Sequence, residues 1–344
     1  MSLPHIAVAS LGGTITMTPG TTGAGVTPTL GADDLIAAVP GLQRIASIET
    51  ATLASLPGAS LSFADVLSAL DWAEAAVARG AHGVVLIQGT DTLEETAYLL
   101  DLHWSRPEPL VVTGAMRSPG VPGADGHANL LASVQTAASS PCGPLGAVVV
   151  MNDEVHAASR ARKSHAASTA AFVSPVFGPI GVVSEGRVVY SNRPSRRTQL
   201  DRPPPGVYPR VAMIDASLGD DGTLLRLARS DGYGGAVISA FGAGHVPFDL
   251  AAAISEAIGT AIDDTGTAMT VVFASRTGAG STLRHTYAFT GSESDLIARG
   301  ALPAGWLDPY KARVLLWSLL AAGASPQRIR DEFVRRGGTP HDHD

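Results

Sequence analysis

The strongest constraint on this chain is a set of short, uninterrupted apolar runs, each followed by a turn and then by a helix-period segment. The runs occupy residues 5–10, 84–88, 110–114 and 147–152. A strand with one wet face alternates polar and apolar residues. A run without alternation is covered on both faces, as in a parallel sheet packed between helices. Segments 62–79, 93–103 and 128–138 carry the helical period in between. Alternating β and α units predict an α/β fold with a doubly wound, mostly parallel, flavodoxin-like sheet.

The pattern breaks at Asn192-Arg193-Pro194-Ser195-Arg196-Arg197 and the consecutive prolines 203–205. Proline and polar residues in such density favour a linker. The expected organisation is an N-terminal α/β domain over 1–190, a linker over 191–209 and a smaller α/β domain over 210–344. In the second domain, strands are expected at 211–215, 235–241 and 269–274, and helices at 224–230, 247–262, 309–322 and 325–335.

Composition narrows the function. Lys and Arg total 24 against 31 Asp and Glu, a net charge of −7, so the basic surplus of a nucleic-acid binder is missing. No apolar stretch approaches the roughly 20 residues of a membrane span, and the first residues lack a basic leader pattern. A single cysteine, Cys142, excludes an intramolecular disulfide. A cytoplasmic protein without membrane or nucleic-acid partners is expected. No Gly-x-Gly-x-x-Gly, Walker loop, Gly-x-Ser-x-Gly elbow or His-Glu-x-x-His occurs, so the sequence implies no cofactor and no metal.

In doubly wound sheets, ligands bind beyond the carboxyl ends of the strands. Polar residues stand at several such ends here. Leu11-Gly12-Gly13-Thr14-Ile15 follows the first run, and Gln88-Gly89-Thr90-Asp91-Thr92-Leu93-Glu94-Glu95 follows the second. Thr92 and Glu95 have the spacing of a capping box, which leaves Thr90 and Asp91 free for substrate recognition or proton handling. Gly114-Ala115-Met116-Arg117, then Ala124-Asp125-Gly126 and Asn129, follow the third run. Arg160-Ala161-Arg162-Lys163 follows the fourth. Each segment taken alone also reads as a turn, a cap or a solvated charge.

Taken together, they resemble the bacterial-type L-asparaginases and their glutaminase relatives. The likeness rests on Gly-Gly-Thr-Ile at 12–15, Gly-Thr-Asp-Thr-Leu-Glu-Glu-Thr-Ala at 89–97, Gly-Ala-Met-Arg at 114–117, Ala-Asp-Gly at 124–126, Val-Met-Asn-Asp at 150–153 and Lys-Ala-Arg-Val-Leu-Leu at 311–316. The resemblance implies that Thr14 attacks a small amide substrate and forms an ester that water hydrolyses, with L-asparagine the leading substrate. It implies that Thr90, Asp91 and Lys163 form a supporting hydrogen-bonded group, that Asp91 holds the substrate's α-ammonium, and that the Ala115 carbonyl orients the amide nitrogen. It also implies a homodimer or homotetramer in which a neighbour's second domain completes each site.

The chain departs from the family at recognisable places. The loop from Thr16 to Leu30 lacks the tyrosine that assists the nucleophile, and Gly25 stands there. The family's substrate-binding serine appears as Gly58, with Ser60 the nearest hydroxyl. Its second-domain asparagine appears as His245, a candidate substrate contact with Gly89. An enzyme for glutamine or a D-amide, and an asparagine- or aspartate-binding sensor, are the competing expectations.

Overall fold

The computed structural model describes residues 2–19, 25–139, 145–192, 198–259 and 268–338. Cys142, residues 20–24 of the Thr16–Leu30 loop and the Arg193–Arg197 stretch, about which the sequence invited expectations, lie outside the described residues. The chain divides into two compact units, 1–199 and 200–344, so the expected linker is shared between them.

In the first unit the elements run β1 (His5–Gly12), β2 (Met17–Pro19), β3 (Val26–Pro28), α1 (Ala32–Ala37), β4 (Ser47–Leu56), α2 (Phe63–Ala78), β5 (Gly83–Ile87), α3 (Leu93–His103), β6 (Leu110–Thr113), α4 (Gly126–Ala137), β7 (Ala147–Met151), β8 (Glu154–Ala157), β9 (Arg162–Lys163), β10 (Phe172–Val173), β11 (Gly181–Ser184) and β12 (Arg187–Tyr190). The main sheet has eight strands in the order β12-β11-β8-β7-β6-β5-β1-β4. β4 through β7 are mutually parallel, and β8, β11 and β12 add an antiparallel edge. Among the parallel strands the order is second-first-third-fourth-fifth in the chain, as in flavodoxin-like folds, and it reverses between β1 and β5. β5, β6 and β7 are buried along their whole length, as their continuous Val, Ile and Leu runs require.

The β7–β8 hairpin turns on Asn152 and Asp153, both at positive φ (53° and 61°). Asx residues tolerate that conformation, and a type I′ turn demands it. The Met-Asn-Asp segment is thereby accounted for.

The second unit contains β13 (Val211–Asp215), α5 (Thr223–Ser230), β14 (Gly235–Ala240), α6 (Phe248–Ile258), β15 (Thr270–Ser275), α7 (Glu293–Ala298), β16 (Leu302–Pro303), α8 (Pro309–Ala321) and α9 (Pro326–Gly337). Its parallel sheet runs β13-β14-β15-β16, a single direction without reversal. Helix α6 ends at Ile258, earlier than expected, with Gly259 at its C-cap. Among the described residues no helix is long and apolar enough to cross a membrane.

Candidate active site

The reversal between β1 and β5 opens a crevice at their carboxyl ends, and the chain fills it with glycine. Gly12 and Gly13 have φ of 105° and 90°, and the backbone of Gly13 lies directly against Gly89. Gly58, after β4, closes the third side: a Cβ on Gly89 would stand 2.6 Å from the Gly58 Cα. Three strand-end loops therefore meet backbone to backbone, a packing only glycine permits at these positions. Thr14 and Thr90 are the residues that follow two of these touching glycines.

Thr14 opens a single 3₁₀ turn, Thr14–Thr16, that Thr16 fastens by donating its hydroxyl to the Gly13 carbonyl at 2.7 Å. The Thr14 side chain is half-buried, and among the described residues its hydroxyl has no hydrogen-bond partner. Thr90 is buried. Lys163 reaches it from the short ribbon β9–β10, its Nζ donating to Thr90 Oγ1 at 3.0 Å and to Asp91 Oδ1 at 3.0 Å. The Lys163 side chain is 18% exposed and that of Asp91 59%, so the carboxylate is the member of the pair open to an arriving ligand. The Lys163 backbone N–H donates to buried Glu94 Oε1 at 3.3 Å, tying the ribbon to the first turn of α3.

The expected capping box at Thr92 is not formed. Thr92 sits at φ −113°, ψ 12° and makes no cap bond; its hydroxyl donates instead to the Gly58 carbonyl at 2.8 Å. A long-range bond that locks two loops together has displaced a local one. Gly58 accordingly offers only its backbone: its Cα is sealed against Gly89 and its carbonyl is occupied by Thr92. Ser60 is exposed on the adjoining 3₁₀ turn.

Ala115 is buried beyond β6, and the helix start at Gly126 packs against both it and Ile15. Asp125 and Asn129, to which the sequence alone assigns no role, hold this turn. Asp125 accepts from the N–H groups of Met116 and Arg117, and Asn129 Nδ2 donates to the Gly114 carbonyl at 3.0 Å.

His245 belongs to the second unit. Its Nε2 lies 3.2 Å from Glu293 Oε2, and its ring meets Tyr287 and Phe289 edge-on at 4.7 and 5.1 Å. Burial raises the Glu293 carboxyl, but N–H donors from Tyr287 and Thr286, together with His245, outweigh it and leave the net shift downward. The structure thus joins Thr90, Asp91 and Lys163 directly, sets Gly13 ahead of Thr14 against Gly89 and Gly114 ahead of Ala115 against Gln88 and Thr90, and gives His245 partners of its own. Among the described residues no group of three or more His, Cys, Asp or Glu could hold a metal ion.

Comparison with known proteins gives a consistent set of likenesses. A family model described as the N-terminal asparaginase domain matches residues 5–196, and one described as the glutaminase/asparaginase C-terminal domain matches residues 210–333. The chain is 34% identical over 340 residues to a probable L-asparaginase of Deinococcus radiodurans, covering 97% of this chain and 98% of the relative. It is 31% identical over 345 residues to L-asparaginase 2 of Escherichia coli, covering 97% and 93%. A solved structure of a probable cytoplasmic L-asparaginase from Campylobacter jejuni has a TM-score of 0.84 at 29% identity, covering 96% of this chain and 99% of that one.

Proposed function

The chain belongs to the asparaginase family, and from that premise we propose that it hydrolyses the side-chain amide of L-asparagine to L-aspartate and ammonia through an ester on Thr14. The observation that carries the proposal is the Lys163–Thr90–Asp91 cluster, joined by two 3.0 Å hydrogen bonds and preceded by Gly89, which packs on Gly13 ahead of Thr14, whose hydroxyl has no partner among the described residues.

A threonine hydroxyl attacks an amide only when a base removes its proton. Thr14 Oγ adds to the amide carbon, its proton passing toward Thr90 and Lys163. Collapse of the tetrahedral intermediate breaks the C–N bond, and the proton leaves with ammonia. Water then attacks the ester and restores Thr14. The substrate's α-ammonium pairs with exposed Asp91, which loosens the hold of that carboxylate on Lys163. Backbone N–H groups at the glycine turns suit the developing oxyanion. The catalytic work is assigned to 1–190, and 210–344 supplies the second domain.

A homodimer or homotetramer follows from the same reading. Its support is the apolar surface of the second unit, where Leu218 is fully exposed and Leu224, Leu227 and Phe248 are more than half exposed. A cytoplasmic location accords with the description of the Campylobacter structure, and cell fractionation checks it.

The second reading is an amidase for glutamine or a D-amide. Gly58 favours it, because a residue without a side chain contributes no hydroxyl to the substrate's carboxylate. Ammonia release from L-asparagine, L-glutamine and D-asparagine tests both. Rapid release from L-asparagine supports the proposal; tight binding without release would replace it with a sensor.

A further inference from the structure

The peptide unit is planar and trans, so fixing one peptide N–H fixes the direction of the carbonyl on the other side of the same bond. That constraint acts on Ala115. The N–H of Met116, which shares a peptide plane with the Ala115 carbonyl, donates to Asp125 Oδ2 at 2.9 Å and Oδ1 at 3.1 Å. The neighbouring Arg117 N–H donates to Oδ1 at 2.9 Å. No cis peptide bond occurs among the described residues, so the Ala115 carbonyl points away from Asp125.

The preceding plane is fixed as well. Buried Asn129 donates through Nδ2 to the Gly114 carbonyl and to Asp125 Oδ2, both at 3.0 Å. Its Oδ1 accepts from the Asn152 N–H at 2.9 Å, bracing the carboxyl end of β6 against that of β7. Gly126 then seals the arrangement against Ala115 and Ile15. Among the described residues the Ala115 carbonyl accepts no hydrogen bond. A carbonyl held on both sides and left unpartnered is an acceptor kept for a ligand N–H.

We infer that Asp125, braced by Asn129, is a positioning residue that aims the Ala115 carbonyl at the leaving nitrogen of the substrate and so makes the site selective for amides over esters. The inference rests on the amide-hydrolase reading above. An amide NH₂ donates to the carbonyl. An ester oxygen in the same place has no proton and faces a lone pair.

The test compares kcat/KM, which reports steps through acylation, for L-asparagine and L-aspartate β-methyl ester. It uses the wild-type chain and Asp125→Asn, whose NH₂ stands where Oδ2 accepts from the Met116 N–H and Asn129 Nδ2 and so sets donor against donor. Misaiming the carbonyl costs the amide about 10- to 100-fold, while the ester, which never used that bond, loses about threefold or less, so the amide-to-ester ratio falls. Equal losses on both substrates, or no loss on either, overturn the inference while leaving the function standing. A wild-type chain inactive on amides overturns the function itself. Asp125→Ala, which removes the acceptor of both backbone N–H groups, answers the same question should Asp125→Asn not fold, with the same fall in the amide-to-ester ratio expected.

Discussion

The chain builds two parallel sheets and uses their carboxyl ends in opposite ways. In the first, strand order reverses between β1 and β5; among the described residues the Thr14 hydroxyl has no partner, and the Asp91 carboxylate, although it accepts from Lys163, is mostly exposed. In the second, order runs one way from β13 to β16, and the corresponding groups are consumed at home. Ser275 donates to the Gly242 carbonyl at 2.6 Å and pairs with Thr277, and Arg276 donates to the Ala216 carbonyl at 2.7 Å while stacking on Phe241. A reversal forces adjacent connections to opposite faces and leaves a crevice between them. At the first sheet the loops touch through glycine backbones, which leaves the side chains of Thr14 and Asp91 at the crevice; at the second, the strand-end polar groups satisfy one another.

The sharpest test of that contrast substitutes one hydroxyl on each side. Thr14→Ala is expected to lower kcat on the order of 10⁴-fold with an unchanged melting temperature, because no hydrogen bond is lost. Ser275→Ala is expected to leave the Gly242 carbonyl short of a donor and lower stability by about 1 to 3 kcal/mol. A Thr14→Ala enzyme with full turnover would break the comparison at its root.

The lysines extend it. Lys163 is partly open and spans Thr90 and Asp91; Lys311, on α8, is fully buried with Nζ 2.7 Å from Asp308. Lys163→Met should cost about 10²- to 10⁴-fold in kcat and little in melting temperature. Asp308→Ala removes both the α8 N-cap and an ion-pair partner of a buried lysine. About 3 to 5 kcal/mol of stability is expected to go with it, seen as a lower denaturant midpoint. Swapped outcomes would overturn the role proposed for Lys163.

The sequence made much of this legible, and unevenly. β5, β6 and β7 announced themselves because burial on both faces leaves no polar residue to blur the run. β4, Ser47–Leu56, was missed: as an edge strand it is only half-buried and reads Ser-Ile-Glu-Thr-Ala-Thr, neither apolar nor cleanly alternating. The β11–β12 hairpin was missed although Glu185-Gly186, both at positive φ, between two β-branched runs is a usable turn signal. At the site, strand-end position singled out Thr90, Asp91 and Lys163, whereas the meeting of Gly13, Gly58 and Gly89 depends on tertiary packing that no local pattern encodes. The Thr92 cap failed for the same reason. Its spacing was right, but a distant carbonyl competed for the hydroxyl and won.

Acid should separate the two units, and the expected effect is the smallest of the set. His156 on β8 is fully buried, its Nδ1 paired with Ser174 Oγ at 3.0 Å, just past the ribbon that carries Lys163. Its Nε2 lies 3.3 Å from Glu154 Oε2 without the alignment of a hydrogen bond. Burial lowers its pKa from 6.5 to about 4. The unfolded chain therefore binds a proton that the folded one refuses, so stability is complete above pH 6.5 and falls as pH drops from 6.5 to 4, by up to about 3 kcal/mol. Glu293 in the second unit is shifted down from 4.5. Its contribution is full above its unfolded value and is lost only as pH falls through the lowered folded one. Between pH 6.5 and 4.5 the first unit should therefore soften while the second holds. Amide hydrogen exchange reads this directly as faster exchange in β7 and β8 than in β13 to β15, and His156→Gln should flatten the slope. Parallel acid sensitivity in both sheets, or a slope that survives His156→Gln, would place the proton elsewhere.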